Sequence, residues 1–127
     1  MDTRRKIISL DEAQALACVS KPVTVVTGSF DVLLAAHVRE LRYARDSVRD
    51  ALLLVAVTTP RQPLLEPRAR AEMVAALEMV DYVVSLEDRE IGCFLETFAG
   101  KHILRLEAAH TLRLCELKQH VERRQSR

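Results

Sequence analysis

Residues able to do chemistry concentrate where a β-branched run meets a glycine. Val23-Thr24-Val25-Val26-Thr27 ends at Gly28, and Ser29, Phe30 and Asp31 lead through a short loop into a helix-period segment that carries His37. A strand's carboxyl end beside a helix N-terminus offers free N–H groups and the positive end of the helix dipole. Open α/β sheets bind phosphates there. Two readings of His37 stay open: a phosphate-facing donor, or a capping or surface residue. Asp31 suits a helix cap with or without ligand, and Gly28 supplies backbone freedom in either case. Arg39, Arg42 and Arg45 recur at three-residue spacing on one helix, either as a solvated face paired with Glu40 or as anion contacts.

Other polar residues carry weaker signals. Arg70 and Arg113 read as surface ion-pair partners, and become anion ligands only by converging on the loop after Thr27. Thr58 and Thr59 either touch a ligand or shape the turn before Pro60. His102, His110 and His120 lack ligand-like spacing and read as structural or exposed. Cys18, Cys93 and Cys115 are odd in number and likewise unspaced for a metal, so they read as buried free thiols.

The elements that must position these residues follow from periodicity. Ser9-Leu10-Asp11-Glu12 has capping-box form and opens a short helix to about Cys18. Val23 to Thr27, Ala51 to Val57, Asp81 to Leu86 and His102 to Leu106 read as strands, the second apolar throughout and so covered on both faces. Helices are expected over Ala35 to Asp46, Pro67 to Met79, Glu90 to Ala99 with Gly100 as cap, and Thr111 to Arg124. Val74 to Val80 reads as core. Strands alternating with helices imply right-handed crossovers and a parallel sheet. The expected fold is a three-layer, Rossmann-like α/β domain spanning residues 1–127.

Composition narrows the function. Nineteen Lys and Arg against eighteen Asp and Glu leave a net charge of +1, which argues against a general nucleic-acid or membrane-surface partner. No apolar stretch approaches the ~20 residues of a membrane span. Met1-Asp2-Thr3-Arg4-Arg5 leads into no signal-peptide-like region, so a cytoplasmic location is expected.

Gly28-Ser29-Phe30-Asp31 through His37 resembles the opening signature of the cytidylyltransferase-like nucleotidyltransferases, G-x-F-D-x-x-H-x-G-H. Gly28, Phe30, Asp31 and His37 fit it, whereas Leu34 replaces the first histidine and Ala36 the inner glycine. The resemblance covers roughly residues 6 to 84. It is nearest to the sugar-phosphate branch, the heptose 1-phosphate adenylyltransferase domains and glycerol-3-phosphate cytidylyltransferases. Lys6 to Ala13 is similar to the heptose leader, and Pro63, Pro67, Arg70-Ala71-Glu72 and Val80-Asp81 follow that branch's P-x-x-P-x-x-x-R-A-E and later V-D.

The resemblance implies transfer of a nucleotidyl group from ATP or CTP onto a phosphate monoester, with pyrophosphate released and magnesium carried on the substrate phosphates. It places His37 and Arg45 in catalytic roles and Ser29, Thr111 and Arg113 among the nucleotide contacts, beside Gly28, Phe30 and Asp31. Losing one preorganised donor costs on the order of 3–4 kcal/mol of transition-state stabilisation, and an added methyl at Ala36 about 1–3 kcal/mol by overpacking. Three outcomes are open: an eroded enzyme that binds nucleotide, a non-catalytic binding or interaction module, alone or as a homodimer, or an enzyme in which His110 or Arg61 replaces the lost histidine.

Overall fold

The computed structural model describes residues 2–125. A 3-10 turn at Thr3–Lys6 leads to helix α1 (Leu10–Ala15), which tightens into a second 3-10 turn at Leu16–Cys18. Strand β1 (Val23–Gly28), helix α2 (Ala35–Ser47), β2 (Leu52–Val57) and α3 (Pro67–Ala75) follow. The order closes with β3 (Tyr82–Ser85), α4 (Asp88–Thr97), β4 (His102–Arg105) and α5 (Glu107–Gln125). The four strands are all parallel, in the order β3-β2-β1-β4. This is the three-layer α/β architecture expected from the alternating pattern.

The pleat sends alternate residues of the central strands to opposite layers. Val26, Leu53, Val55 and Val57 pack with Leu41 and Ala44 of α2 and with Ala71, Val74 and Ala75 of α3. Val23, Val25, Leu54 and Ala56 pack on the other face with Ala13 of α1, Phe94 of α4 and Phe98 just beyond its end. Each fully buried Leu or Val contributes roughly 1.5–3 kcal/mol relative to exposure, so the central pair β1 and β2 anchors both layers.

Caps set most helix ends. In α1 the Glu12 N–H donates to Ser9 Oγ at 3.2 Å, and the Ser9 N–H donates back to Glu12 Oε1 at 3.2 Å. Pro67 occupies the first turn of α3, and Gly100 adopts φ +85° beyond α4, the left-handed geometry that a residue without Cβ tolerates. Besides α3, which ends at Ala75 rather than Met79, two helix starts differ from expectation. α4 starts two residues early because the Glu87 N–H already finds Glu90 Oε1 at 2.8 Å. α5 starts at Glu107 rather than Thr111, its ladder opening with the His110 N–H on Leu106 O at 2.9 Å. That second shift carries His110 into the first turns of a helix at the sheet's carboxyl edge.

The three cysteines are free and exposed rather than buried, because the outward faces of the 3-10 turn, α4 and α5 carry them. Among the described residues no helix is long and apolar enough to cross a membrane.

Candidate functional site

The strand order reverses at β1: the chain moves from β1 to β2 and β3 on one side, then returns to place β4 on the other. Ligands of open parallel sheets bind outside the carboxyl ends at such a switch point. Here the loop after β1, the loop after β2 and the start of α5 meet at that position.

A buried clamp holds the first two of these together. Phe30 is fully buried with φ +49°, a left-handed conformation that costs a non-glycine residue about 1–3 kcal/mol and persists only where its surroundings enforce it. Asp31 supplies part of that enforcement, its carboxylate accepting the Leu64 N–H at 2.6 Å and the Leu65 N–H at 2.9 Å. It therefore ties the loops and does not cap α2. Arg70, only 1% exposed, supplies the rest. Its Nη1 donates to Thr58 O at 2.6 Å and Ser29 O at 3.2 Å, and its Nε to Leu65 O at 3.2 Å. Burial pushes its pKa down and the Asp31 charge pushes it back up. The surface role expected for Arg70 is replaced by an interior one, its Nε and Nη1 ending on loop carbonyls. Thr58, also buried, serves as backbone in the same clamp.

Beside the clamp lies an aromatic cluster. His37 and His110, each 3% exposed, stand edge to face with centroids 4.3 Å apart, and Phe30 completes the group at 4.7 Å from His110 and 5.7 Å from His37. The Leu34 N–H donates to His37 Nδ1 at 2.7 Å. In the neutral ring this leaves the proton on Nε2, and that atom is buried without a partner. Both ring nitrogens of His110 are also buried and unbonded. Burial drives both rings toward neutrality. Arg113 lowers His37 further while Glu40 partly opposes it, and His110, with His37 and Arg113 adding to burial, is pushed down to about 3. His110 thus belongs to the site, which its position alone in the sequence concealed.

Gly28 explains how that ring fits. A Cβ there would lie 2.5 Å from His110 Cε1 and 2.7 Å from its Nδ1. The glycine is required by close approach of a side chain, not by backbone freedom.

Arg113 and Arg45 depart from their expected roles. Arg113 Nη1 pairs with Glu40 Oε1 at 2.7 Å, facing α2 rather than the open end of the sheet. Arg45 pairs with Asp81, whose carboxylate also accepts the Leu53 N–H at 2.8 Å. Asp81 and Leu53 border the amino ends of β3 and β2. Eight residues of helix at ~1.5 Å rise carry Arg45 about 12 Å from His37, to the wrong edge of the sheet for a phosphate contact.

A cleft of about 590 Å³ opens at the switch point, lined by Ser29, Pro60, Arg61, Gln62, Thr111, Cys115 and Lys118. Ser29 and Thr111 both line it, although the Thr111 hydroxyl donates to Glu107 O at 3.0 Å within its own helix. Arg61 and Lys118 supply the positive charge that Arg45 and Arg113 do not.

Three curated relatives resemble this chain, each a bifunctional protein HldE. That of Campylobacter fetus subsp. fetus (strain 82-40) is 34% identical over 93 residues, 66% of this chain. The protein from Citrifermentans bemidjiense is 35% identical over 100 residues, 68% of the chain, and the one from Geobacter sulfurreducens 32% over 96 residues, 69% of the chain. The chain belongs to the cytidylyltransferase-like nucleotidyltransferases. It spans about a fifth of the length of these relatives. No family model matches it.

For a nucleotidyltransferase-like chain, the signature's surviving members divide by task. Gly28 admits a histidine, Phe30 packs against it, Asp31 ties two loops, and His37 presents an imidazole at the start of α2. Leu34, in the N-cap position of α2, contributes only backbone: its N–H to His37 Nδ1 and its carbonyl to the His37 and Val38 N–H groups.

Proposed function

We propose that this chain binds a nucleoside triphosphate, ATP or CTP, together with a sugar- or polyol-phosphate in the switch-point cleft, and that nucleotidyl transfer there is slow or absent. The carrying observation is the cleft itself, cationic through Arg61 and Lys118 and opening beside the start of α5. A helix N-terminus favours phosphate without any help from the side chain at Leu34. In the full reaction an acceptor phosphate oxygen attacks the α-phosphorus, the bond to the β-phosphate oxygen breaks, and pyrophosphate leaves. Such chemistry depends on alignment and on donors to the developing charge. Leu34 offers no side-chain donor, so the rate falls on the order of 10²–10³ for that position alone. Among the described residues no group of three or more His, Cys, Asp or Glu is placed to hold a metal. Magnesium in this reading travels with the triphosphate as part of the substrate.

Thermal shift with millimolar ATP or CTP and magnesium tests binding, since a ligand at 100 times its Kd stabilises by about 2.7 kcal/mol. Restoring the motif with Leu34→His and Ala36→Gly should raise pyrophosphate release above the wild-type rate. Absence of any shift would favour a scaffold role on the same fold, where Leu112 and Val121, exposed on α5, would face a protein partner or a second copy.

A further inference from the structure

The imidazole missing at Leu34 has a counterpart delivered by a different helix. We infer that His110 replaces the lost motif histidine and forms, with His37, a two-imidazole pair that contacts the phosphate of a bound nucleotide. This rests on the nucleotide-binding reading above.

Four observations converge. The two rings stand 4.3 Å apart at 76°, one from the first turn of α2 and one from the first turns of α5, so two helix N-termini approach the same point. Three ring nitrogens, His37 Nε2 and both of His110, are buried without partners. Orphaned polar atoms are rare in protein interiors and call for an explanation; a ligand that binds them supplies one. His110 Nε2 lies 3.8 Å from Glu40 Oε2, and Arg113 holds that carboxylate from its other oxygen at 2.7 Å. At that distance the carboxylate makes no hydrogen bond to the neutral ring, but its charge would steady a positive charge on it. Finally, Gly28 leaves the space that the His110 ring occupies, so retention of this glycine and recruitment of His110 form one unit.

The charged groups facing His110 are Glu40, Arg113 and His37, and the ring is neutral in the free protein. An arriving phosphate adds negative charge beside it. Binding near pH 6.5 is therefore coupled to uptake of up to about one proton, the ring nitrogen being protonated from solvent and then donating to a phosphate oxygen.

Calorimetric titration of the full chain with magnesium-ATP and magnesium-CTP, in two buffers of different ionisation enthalpy, reads both affinity and proton uptake. His110→Asn should weaken binding about tenfold to a hundredfold, the range for losing a charge-assisted hydrogen bond, and abolish the uptake. Leu34→His in that background should recover affinity. Should His110→Asn fail to fold, the imidazole ¹⁵N resonances of the wild-type protein decide the matter, and His110 must shift on nucleotide addition. Unchanged affinity in His110→Asn, or an unmoved His110 resonance in a nucleotide-saturated sample, overturns the inference while leaving the binding reading intact. A wild-type protein that binds neither nucleotide overturns that reading, and this inference with it.

Discussion

Acid should unfold this protein through His110. Its ring is buried with neither nitrogen hydrogen-bonded, and burial, reinforced by His37 and Arg113, lowers its pKa from 6.5 to about 3. The folded state keeps the ring neutral, whereas the unfolded chain takes up a proton near the ordinary value. With the folded pKa depressed, the stability tied to the neutral ring is intact above about pH 6.5 and is lost as pH falls toward 3. At pH 4.5, about two units below the unfolded value, the loss is about 2.7 kcal/mol at ~1.36 kcal/mol per unit. An unfolding entropy of about 2.1 cal/mol/K per residue converts this to roughly 10 °C in Tm for a chain of this length. His37 is shifted in the same direction and adds to the effect. The assay is thermal unfolding by circular dichroism at pH 7.5 and 4.5, at constant ionic strength, for wild type and His110→Asn. Carboxylate titration lowers both proteins alike and cancels in the difference, so the variant should lose about 10 °C less than wild type. Equal losses would refute a buried neutral His110.

Three further outcomes test the remaining geometry. Gly28→Ala drives a methyl into the His110 ring and should cost about 1–3 kcal/mol by overpacking, a loss that His110→Ala in the same chain largely relieves when both are followed by urea denaturation. Asp31→Ala removes the charged acceptor of two backbone N–H groups and should cost about 3 kcal/mol, with faster proteolysis between Pro60 and Leu65. Arg45→Met breaks a partly exposed ion pair, worth no more than about 1 kcal/mol. Calorimetry should find its nucleotide affinity equal to wild type, because Arg45 lies at the far edge of the sheet.

Much of the fold was legible because its signals are local. The β-branched run at Val23 to Thr27, the apolar run at Ala51 to Val57 and the Ser9–Glu12 box each depend on neighbours within a few positions, and all appear where periodicity put them. The start of α5 was misplaced because Glu107 and Ala108 carry no cap signature; the helix begins there because β4 ends against β1 and the His110 N–H reaches Leu106 O. Arg45 illustrates a different failure. Its position in α2 was read correctly, but a 13-residue helix crosses the whole layer, so residues on one helix can sit at opposite edges of the sheet. Arg70 was misread because a guanidinium is buried only where several carbonyls converge on it, and those carbonyls come from Ser29, Thr58 and Leu65 on separate loops.

Residue order alone was enough for the parallel α/β sheet, the strand-to-helix turn after Gly28 and the vacancy of an imidazole at Leu34, since each reflects backbone preference or side-chain identity over a short span. The meeting of His110 with His37, the use of Gly28 to admit it and the capture of Arg113 by Glu40 arose from packing. They join residues some seventy positions apart, and a contact at that separation exists only after the crossovers have brought β1, α2 and α5 to one edge.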